Sequence, residues 1–205
     1  MPLFYLRKKL KEKQFLKQQQ QAMEQWTSEG KPYPPPKLVK QYFIRNIANQ
    51  FGISSLVETG TYKGHMVYAQ FPFFKEIHSI ELGIDLFKAA KQKFKDYPNV
   101  FLYQGDSGVV LKDVVLKLQE PAVYWLDAHY SEGITARGIQ DCPIYSELQT
   151  ISKQKRKDCI LIDDAVDFNG RNGYPTKEEL ISICVEMFPY HYFEEREGLF
   201  YILPR

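Results

Sequence analysis

The chain has 205 residues, of which 44% are hydrophobic, and it contains 14 Phe and 14 Tyr. This is enough apolar material for the core of one domain with an additional segment. The 27 basic and 25 acidic residues give a net charge of +2, which does not single out nucleic acid or a membrane as partner. No apolar stretch approaches the roughly 18 residues that span a bilayer. The charged N-terminus also differs from a signal peptide, so we expect a cytoplasmic protein.

The N-terminal segment, residues 1–36, differs in composition from the rest. Leu3, Leu6 and Leu10 recur at helical spacing among many basic residues, which predicts a basic amphipathic helix with a thin apolar stripe. We expect this helix to pack on its own domain, or on a second subunit in a homo-oligomer. This is preferred to an arm that binds a membrane surface or nucleic acid. The segment ends in Lys-Pro-Tyr-Pro-Pro-Pro, a linker that cannot be helical.

From residue 37 to 205 the pattern alternates between strands and helices. Five strands are predicted, at 54–58, 77–81, 100–104, 122–127 and 159–163. Helices are predicted at 37–51, 64–71, 83–95, 107–118, 143–154 and 176–187. Two last strands, 190–195 and 199–203, flank Arg-Glu-Gly as an antiparallel hairpin. The prediction is an α/β fold with a doubly wound, mostly parallel, seven-stranded sheet.

A glycine-containing loop follows the first predicted strand. The segment Leu56-Val-Glu-Thr-Gly-Thr-Tyr-Lys-Gly64 has an apolar run that ends at Glu58, and then Gly60 and Gly64. Gly60 would let backbone N–H groups approach a ligand, and Gly64 would let the next helix pack on the sheet. Such turns are also common for structural reasons, so the loop alone is weak evidence of a cofactor site.

Acidic residues recur at the carboxyl ends of the predicted strands. Glu58, Glu81, Asp106, Asp127 and the pair Asp163-Asp164 occupy these positions. A single acid there is usually a turn former or a helix cap, but in an open parallel sheet such residues point into one shared crevice.

Two of these acids have spacings suited to a nucleoside. Glu81 lies about 20 residues after the glycine loop, where an acid can accept both hydroxyls of a ribose, or else cap the helix near Asp85. Asp106 with Ser107 could accept from an adenine amino group and also cap the next helix.

These residues carry a family resemblance. Glu58-Thr-Gly-Thr-Tyr-Lys-Gly64, Ile80-Glu81, Gly105-Asp106-Ser107, Trp125-Leu-Asp127 and the closing hairpin resemble class I S-adenosylmethionine-dependent methyltransferases, over about residues 40–205. The resemblance implies a Rossmann-like fold and S-adenosylmethionine as cofactor. The loop would then hold the amino-acid end, Glu81 the ribose and Asp106 the adenine. The predicted cofactor-binding residues are Glu58, Gly60, Thr61, Gly64, Glu81, Leu82, Asp106, Ser107 and Asp127.

A metal site is predicted where the fourth and fifth strands end. Asp127, Asp163 and Asp164 would be neighbours there, and three adjacent carboxylates repel one another unless a hard cation such as Mg²⁺ is bound. In this respect the chain is similar to metal-dependent O-methyltransferases of the catechol and macrolide-sugar types. That resemblance implies a metal that holds two substrate oxygens and favours the ionised hydroxyl.

Asp127 and His129 are the predicted catalytic residues. His129 lies just beyond the fourth strand and could remove the proton of the acceptor hydroxyl, or else bond the loop backbone or a metal. Residues 131–142 form a candidate lid, and residues 167–175 could complete the acceptor pocket.

The sequence therefore predicts methyl transfer to a hydroxyl of a small molecule or sugar. One alternative is an N-methyltransferase, although Leu126-Asp-Ala-His lacks the aromatic or amide-rich motif expected after the fourth strand. Another is a methyltransferase-like binding or scaffold protein that acts through its basic helix. An NAD-linked enzyme is disfavoured because the loop lacks GxGxxG spacing.

Overall fold

Helices and strands alternate along the chain in the computed structural model, which describes residues 3–127, 142–171 and 173–205. The strands are β1 (Ser55–Thr59), β2 (Glu76–Glu81), β3 (Val100–Gln104), β4 (Ala122–Leu126), β5 (Cys159–Ile162), β6 (His191–Arg196) and β7 (Leu199–Pro204). The helices are α1 (Leu3–Ser28), α2 (Lys37–Phe51), α3 (His65–Gln70), α4 (Ile84–Lys93), α5 (Ser107–Val115), α6 (Ile144–Ser152) and α7 (Lys177–Met187). A short 3-10 turn, Ala165–Asp167, follows β5.

One seven-stranded sheet has the order β3-β2-β1-β4-β5-β7-β6. The pairs among β1 to β5 are parallel, whereas β7 runs antiparallel to β5 and to β6. This confirms the predicted doubly wound sheet and its terminal hairpin. The strand order reverses between β1 and β4, and ligands bind in the crevice at such a switch point in open α/β sheets.

Both faces of the sheet are covered, as a parallel sheet requires. Side chains alternate along β1, so that Leu56 and Val57 enter opposite cores and both are fully buried. One core includes apolar residues of α5, α6 and α7, and the other includes residues of α1, α2 and α3. The side chains that end the strands are therefore held on a rigid frame.

Helix α1 packs on this domain, but through a different face from the predicted stripe. Leu6 and Leu10 are 48% and 66% exposed, whereas Phe15 and Trp26 are buried in the core. The two large aromatic side chains bury more apolar area from the other face of the helix.

The linker after α1 is held against the turn between β6 and β7. The Nζ atom of Lys31 lies 2.6 Å from Oε1 of Glu197. The indole N–H of Trp26 donates to the carbonyl of Pro32 at 2.8 Å. These contacts fix the chain that leads into α2.

The cysteines Cys142, Cys159 and Cys184 are all buried and free. Within the described ranges, none of the helices has the length and apolar character needed to cross a membrane.

Candidate functional site

The glycine loop turns sharply at the end of β1. The N–H groups of Gly60 and Thr61 both donate to the carbonyl of Ile80, at 3.0 and 3.1 Å. Gly60 has φ +90° and Gly64 has φ +65°, in the left-handed region that favours glycine. A Cβ atom on Gly64 would lie 2.5 Å from Cε2 of Phe94, at the end of α4. The second glycine therefore lets the loop approach α4 closely.

Glu58 is enclosed beneath this loop. It is 2% exposed, and its carboxyl accepts a short hydrogen bond from the Ser79 hydroxyl. Burial raises the pKa of Glu58 to about 8; the Ser79 hydrogen bond and the Lys93 charge oppose this rise, and the charges of Asp127 and Glu81 add to it. Without a cation beside it, this carboxyl holds its proton near neutral pH. The strand runs one residue past Glu58, to Thr59.

Glu81 at the end of β2 joins the loop to the next helix. Its Oε2 accepts from the N–H of Tyr62 at 2.7 Å, and its Oε1 accepts from the N–H of Gly83 at 2.8 Å. Gly83 is the N-cap residue of α4, so Glu81 does bond the helix start, through the backbone. Each carboxylate oxygen has two lone pairs, which leaves capacity for ribose hydroxyls.

Asp106 caps the helix that follows β3. Its Oδ1 accepts from the N–H of Gly108 at 2.9 Å, at the start of α5. Ser107 beside it is buried. Leu82, which follows Glu81 and was also predicted to bind the cofactor, is half-buried. Its carbonyl accepts a hydrogen bond from the side-chain amide of Gln104 at 3.0 Å. The ends of β2 and β3 thus lie side by side, with Glu81 opposite Gln104.

Asp127, Asp163 and Asp164 form the predicted acid cluster. One carboxylate oxygen from each lies within 4.8 Å of the others. Backbone hydrogen bonds of the sheet continue into the cluster. The N–H of Asp127 donates to the carbonyl of Thr59 at 3.2 Å, and the N–H of Asp163 donates to the carbonyl of Leu126 at 3.1 Å. Burial, with the nearby Asp127 charge, raises the pKa of Asp163 to about 7. Three carboxylates at this spacing form an oxygen-only donor set suited to a hard divalent cation.

Lys40 of α2 reaches the same cluster, and the sequence did not indicate it. Its Nζ lies 2.6 Å from Oδ1 and 2.7 Å from Oδ2 of Asp163, and 3.3 Å from Oδ1 of Asp164. Burial alone would lower the pKa of Lys40, but the attraction of Asp163, Asp164 and Asp127 together outweighs burial, so the net pKa is raised. The only local signal was a lysine in the first turn of the helix before β1, which resembles a surface residue.

A pocket opens beside the cluster on the side of α6. Phe168 and Tyr174, both from the loop predicted to complete the acceptor site, form part of its wall. The three aspartates border it, together with Leu126, Cys142, Pro143, Ile144 and Ile162. Two aromatic side chains and three carboxylates therefore line one pocket.

Glu147 is a second site residue that the sequence did not indicate. It lines the pocket from α6, is 2% exposed, and its Oε1 has no hydrogen-bond partner among the described residues. Burial raises the pKa of Glu147 to about 7, with the Ser107 and Thr59 hydroxyls opposing the shift.

Two predictions of the sequence cannot be compared with the structure. His129 and nearly all of the candidate lid lie outside the described residues, so the proposed base stays a prediction.

Comparison with known proteins supports the fold. No protein-family model matches the sequence, and no curated protein resembles it significantly. A Podospora anserina methyltransferase bound to SAH, S-adenosylhomocysteine, is 16% identical with a TM-score of 0.57, over 93% of this chain and 87% of that one. An O-methyltransferase from Bacillus cereus, in complex with SAH, is 12% identical with a TM-score of 0.60, over 90% of each chain.

A third solved structure with a similar fold belongs to an N-methyltransferase. The N-methyltransferase NodS from Bradyrhizobium japonicum is 14% identical, with a TM-score of 0.55 over 84% of this chain and 99% of that one. At these identities the likeness concerns architecture. Together with the seven-stranded order and its reversed hairpin, it shows that the chain has the class I S-adenosylmethionine-dependent methyltransferase fold.

Proposed function

We propose that the chain transfers a methyl group from S-adenosylmethionine to a hydroxyl of a small molecule or sugar, with a divalent cation assisting. One observation carries the proposal. Glu58, Glu81 and Asp106 end three adjacent strands around the glycine loop, in a fold whose solved examples include proteins bound to SAH. The residues present suit an aminoacyl nucleoside, because the site supplies carboxylates and turn glycines but no pyrophosphate-binding GxGxxG pattern.

Each residue has a role in binding this cofactor. When bound, S-adenosylmethionine supplies a methyl group on a positively charged sulfur. Glu81 is held by two backbone N–H groups and would accept the ribose hydroxyls, and Asp106 would accept from the adenine amino group. Glu58 would lose its proton when a cationic group lies nearby, because opposite charge favours the ionised carboxyl. Holding both reactants in line would provide most of the rate.

A divalent cation would be held by Asp127, Asp163 and Asp164. When bound, such a cation favours the ionised form of a coordinated hydroxyl. The pocket that these aspartates border, with Phe168 and Tyr174 on its wall, would place a sugar or aromatic ring next to them. The supporting observation is the convergence of three carboxylates from the ends of two neighbouring strands.

Cofactor binding is tested by titrating the purified protein with SAH in a calorimeter. We expect the wild-type chain to bind and Glu81→Ala to lose at least tenfold in affinity, since the ribose contact is removed. Glu76→Ala is the matched control, because Glu76 lies at the other end of β2 and bonds Ser55 instead. A wild-type chain that does not bind SAH would sink the proposal.

Metal binding is tested with Mn²⁺, which can be followed by electron paramagnetic resonance. Asp163→Asn should weaken binding at least tenfold, because it removes one of three anionic ligands. Asp167→Asn, in the turn just beyond the cluster, should bind as the wild type does. Equal affinities in all three proteins would remove Asp163 from the proposed metal site.

Methyl transfer to an amine is the second candidate. The likeness to the N-methyltransferase NodS favours it. A panel of hydroxyl-bearing and amine-bearing acceptors, assayed for SAH release, separates the two chemistries.

A further inference from the structure

We infer that Lys40 is a built-in cation of the acid cluster and that it competes with a divalent ion for Asp163. The inference deepens the proposed function, on whose metal site it rests. Lys40 would then set how tightly the cluster binds a metal ion.

The contact geometry supports competition. The Lys40 ammonium touches both oxygens of Asp163, at 2.6 and 2.7 Å, and one oxygen of Asp164 at 3.3 Å. A divalent ion would take oxygens from the same two side chains at about 2.0 to 2.5 Å. An ammonium and a metal ion bonded to the same carboxylate would be only a few ångströms apart, and their like charges would repel.

Lys40 is also held in place by its helix. The N–H groups of Val39 and Lys40 donate to the carbonyl of Pro36, at 2.8 and 3.1 Å, so the first turn of α2 is closed. Val39 is fully buried, which fixes the helix against the sheet. The Lys40 side chain is 14% exposed, so its charge is poorly screened by water. A mobile surface lysine would not have this effect.

The linker extends this arrangement to the N-terminal segment. Tyr33 precedes α2 and packs against the turn after β6, where a Cβ atom on Gly198 would lie 2.4 Å from its ring. Gly198 in turn accepts, through its carbonyl, from the N–H of Ala165 next to the cluster, at 2.9 Å. The segment that presents Lys40 is thereby tied to the loop that carries Asp163 and Asp164.

The consequence is a cluster with two alternative cations. With Lys40 in contact, the aspartates are paired and ordered without a metal. A divalent ion would bind as Lys40 withdraws from Asp163, so the affinity for the ion is lower than three carboxylates alone would give. An acceptor that itself coordinates the ion would shift the balance toward the metal.

The test compares Mn²⁺ affinity in the wild type, Lys40→Met and Lys37→Met. Methionine is of similar length and carries no charge, so Lys40→Met should bind Mn²⁺ at least tenfold more tightly than the wild type. Lys37 is exposed in the same helical turn, and Lys37→Met should leave the affinity unchanged. Lys40→Gln keeps a hydrogen-bond donor for Asp163 and serves if the methionine variant does not fold; it should also bind more tightly.

Unchanged or weaker Mn²⁺ affinity in the folded Lys40 variant would overturn the inference, as would an equal gain in Lys37→Met. SAH calorimetry on the same preparations keeps the two proposals apart. A chain that binds SAH but shows no gain in Mn²⁺ affinity refutes only the role of Lys40. A chain that shows the gain but does not bind SAH refutes only the proposed methyltransferase.

Discussion

Glu58 and Glu81 show how one residue type acquires two properties at neighbouring strand ends. Both carboxyls are almost fully buried, at 2% and 6% exposure. Glu81 accepts hydrogen bonds from two backbone N–H groups, which hold its side chain in place. Glu58 has one hydroxyl donor, and burial raises its pKa to about 8. The chain therefore places an acid that is held by backbone N–H groups near an acid that can gain charge when a cation arrives.

The close approach of the glycine loop to α4 can be tested at Gly64. Gly64 and Gly52 have nearly the same backbone conformation, φ +65° with ψ +33° and φ +66° with ψ +28°. A Cβ atom at Gly64 would overlap the Phe94 ring, whereas nothing lies within 4 Å of one at Gly52. Gly64→Ala should therefore cost roughly 3 kcal/mol of unfolding free energy, and Gly52→Ala about 1 kcal/mol.

Urea unfolding of the two alanine variants measures this difference. The left-handed conformation penalises both alanines alike, so the excess in Gly64→Ala reports the close approach of loop and helix. We also expect Gly64→Ala alone to weaken SAH binding. Equal losses of stability would show that α4 yields to the added methyl group.

Most elements could be predicted because each has a local signal. Apolar runs that end in an acid marked β1, β4 and β5, and the terminal hairpin was marked by its turn. The bounds of the helices and strands differ from the predicted ones by up to three residues, as at the ends of β1 and α5. The packing face of α1 could not be predicted, because leucine spacing describes a helix face but not which face finds a partner. The short turn after β5 had no periodic signal.

At the scale of the whole molecule, the candidate site depends on contacts that no local pattern contains. Lys40 and Asp163 are 123 residues apart in the chain, and each is ordinary in its own segment. Glu147 likewise occupies a helix position that is indistinguishable from a surface one. The strand-end acids could be predicted because parallel strands bring their carboxyl ends to one edge. Residues supplied by helices could not, since their placement follows from tertiary packing.

The buried acids should also shape the pH dependence of the stability of the whole protein. The pKa values of Glu58 and Glu147 are raised to about 8 and about 7, from 4.5. Such a carboxyl has a higher pKa in the folded protein than in the unfolded protein. Its contribution to the unfolding free energy is fully present below the pKa of the unfolded state and is lost as the pH rises through the pKa of the folded state. Burial lowers the pKa of His78 and His191 from 6.5, and their opposite effect is confined to lower pH.

We therefore expect the unfolding free energy of the ligand-free protein to fall by roughly 3 kcal/mol between about pH 6.5 and pH 8.5. Urea unfolding in EDTA at several pH values measures the slope. Glu147→Gln keeps the volume but cannot ionise, so it should remove roughly 1 kcal/mol of the fall. Glu186→Gln, at an exposed position on α7, should follow the wild type. An unfolding free energy that stays level or rises over this range would contradict this expectation. It would mean that Glu58 and Glu147 are already ionised in the folded protein, although both side chains are buried.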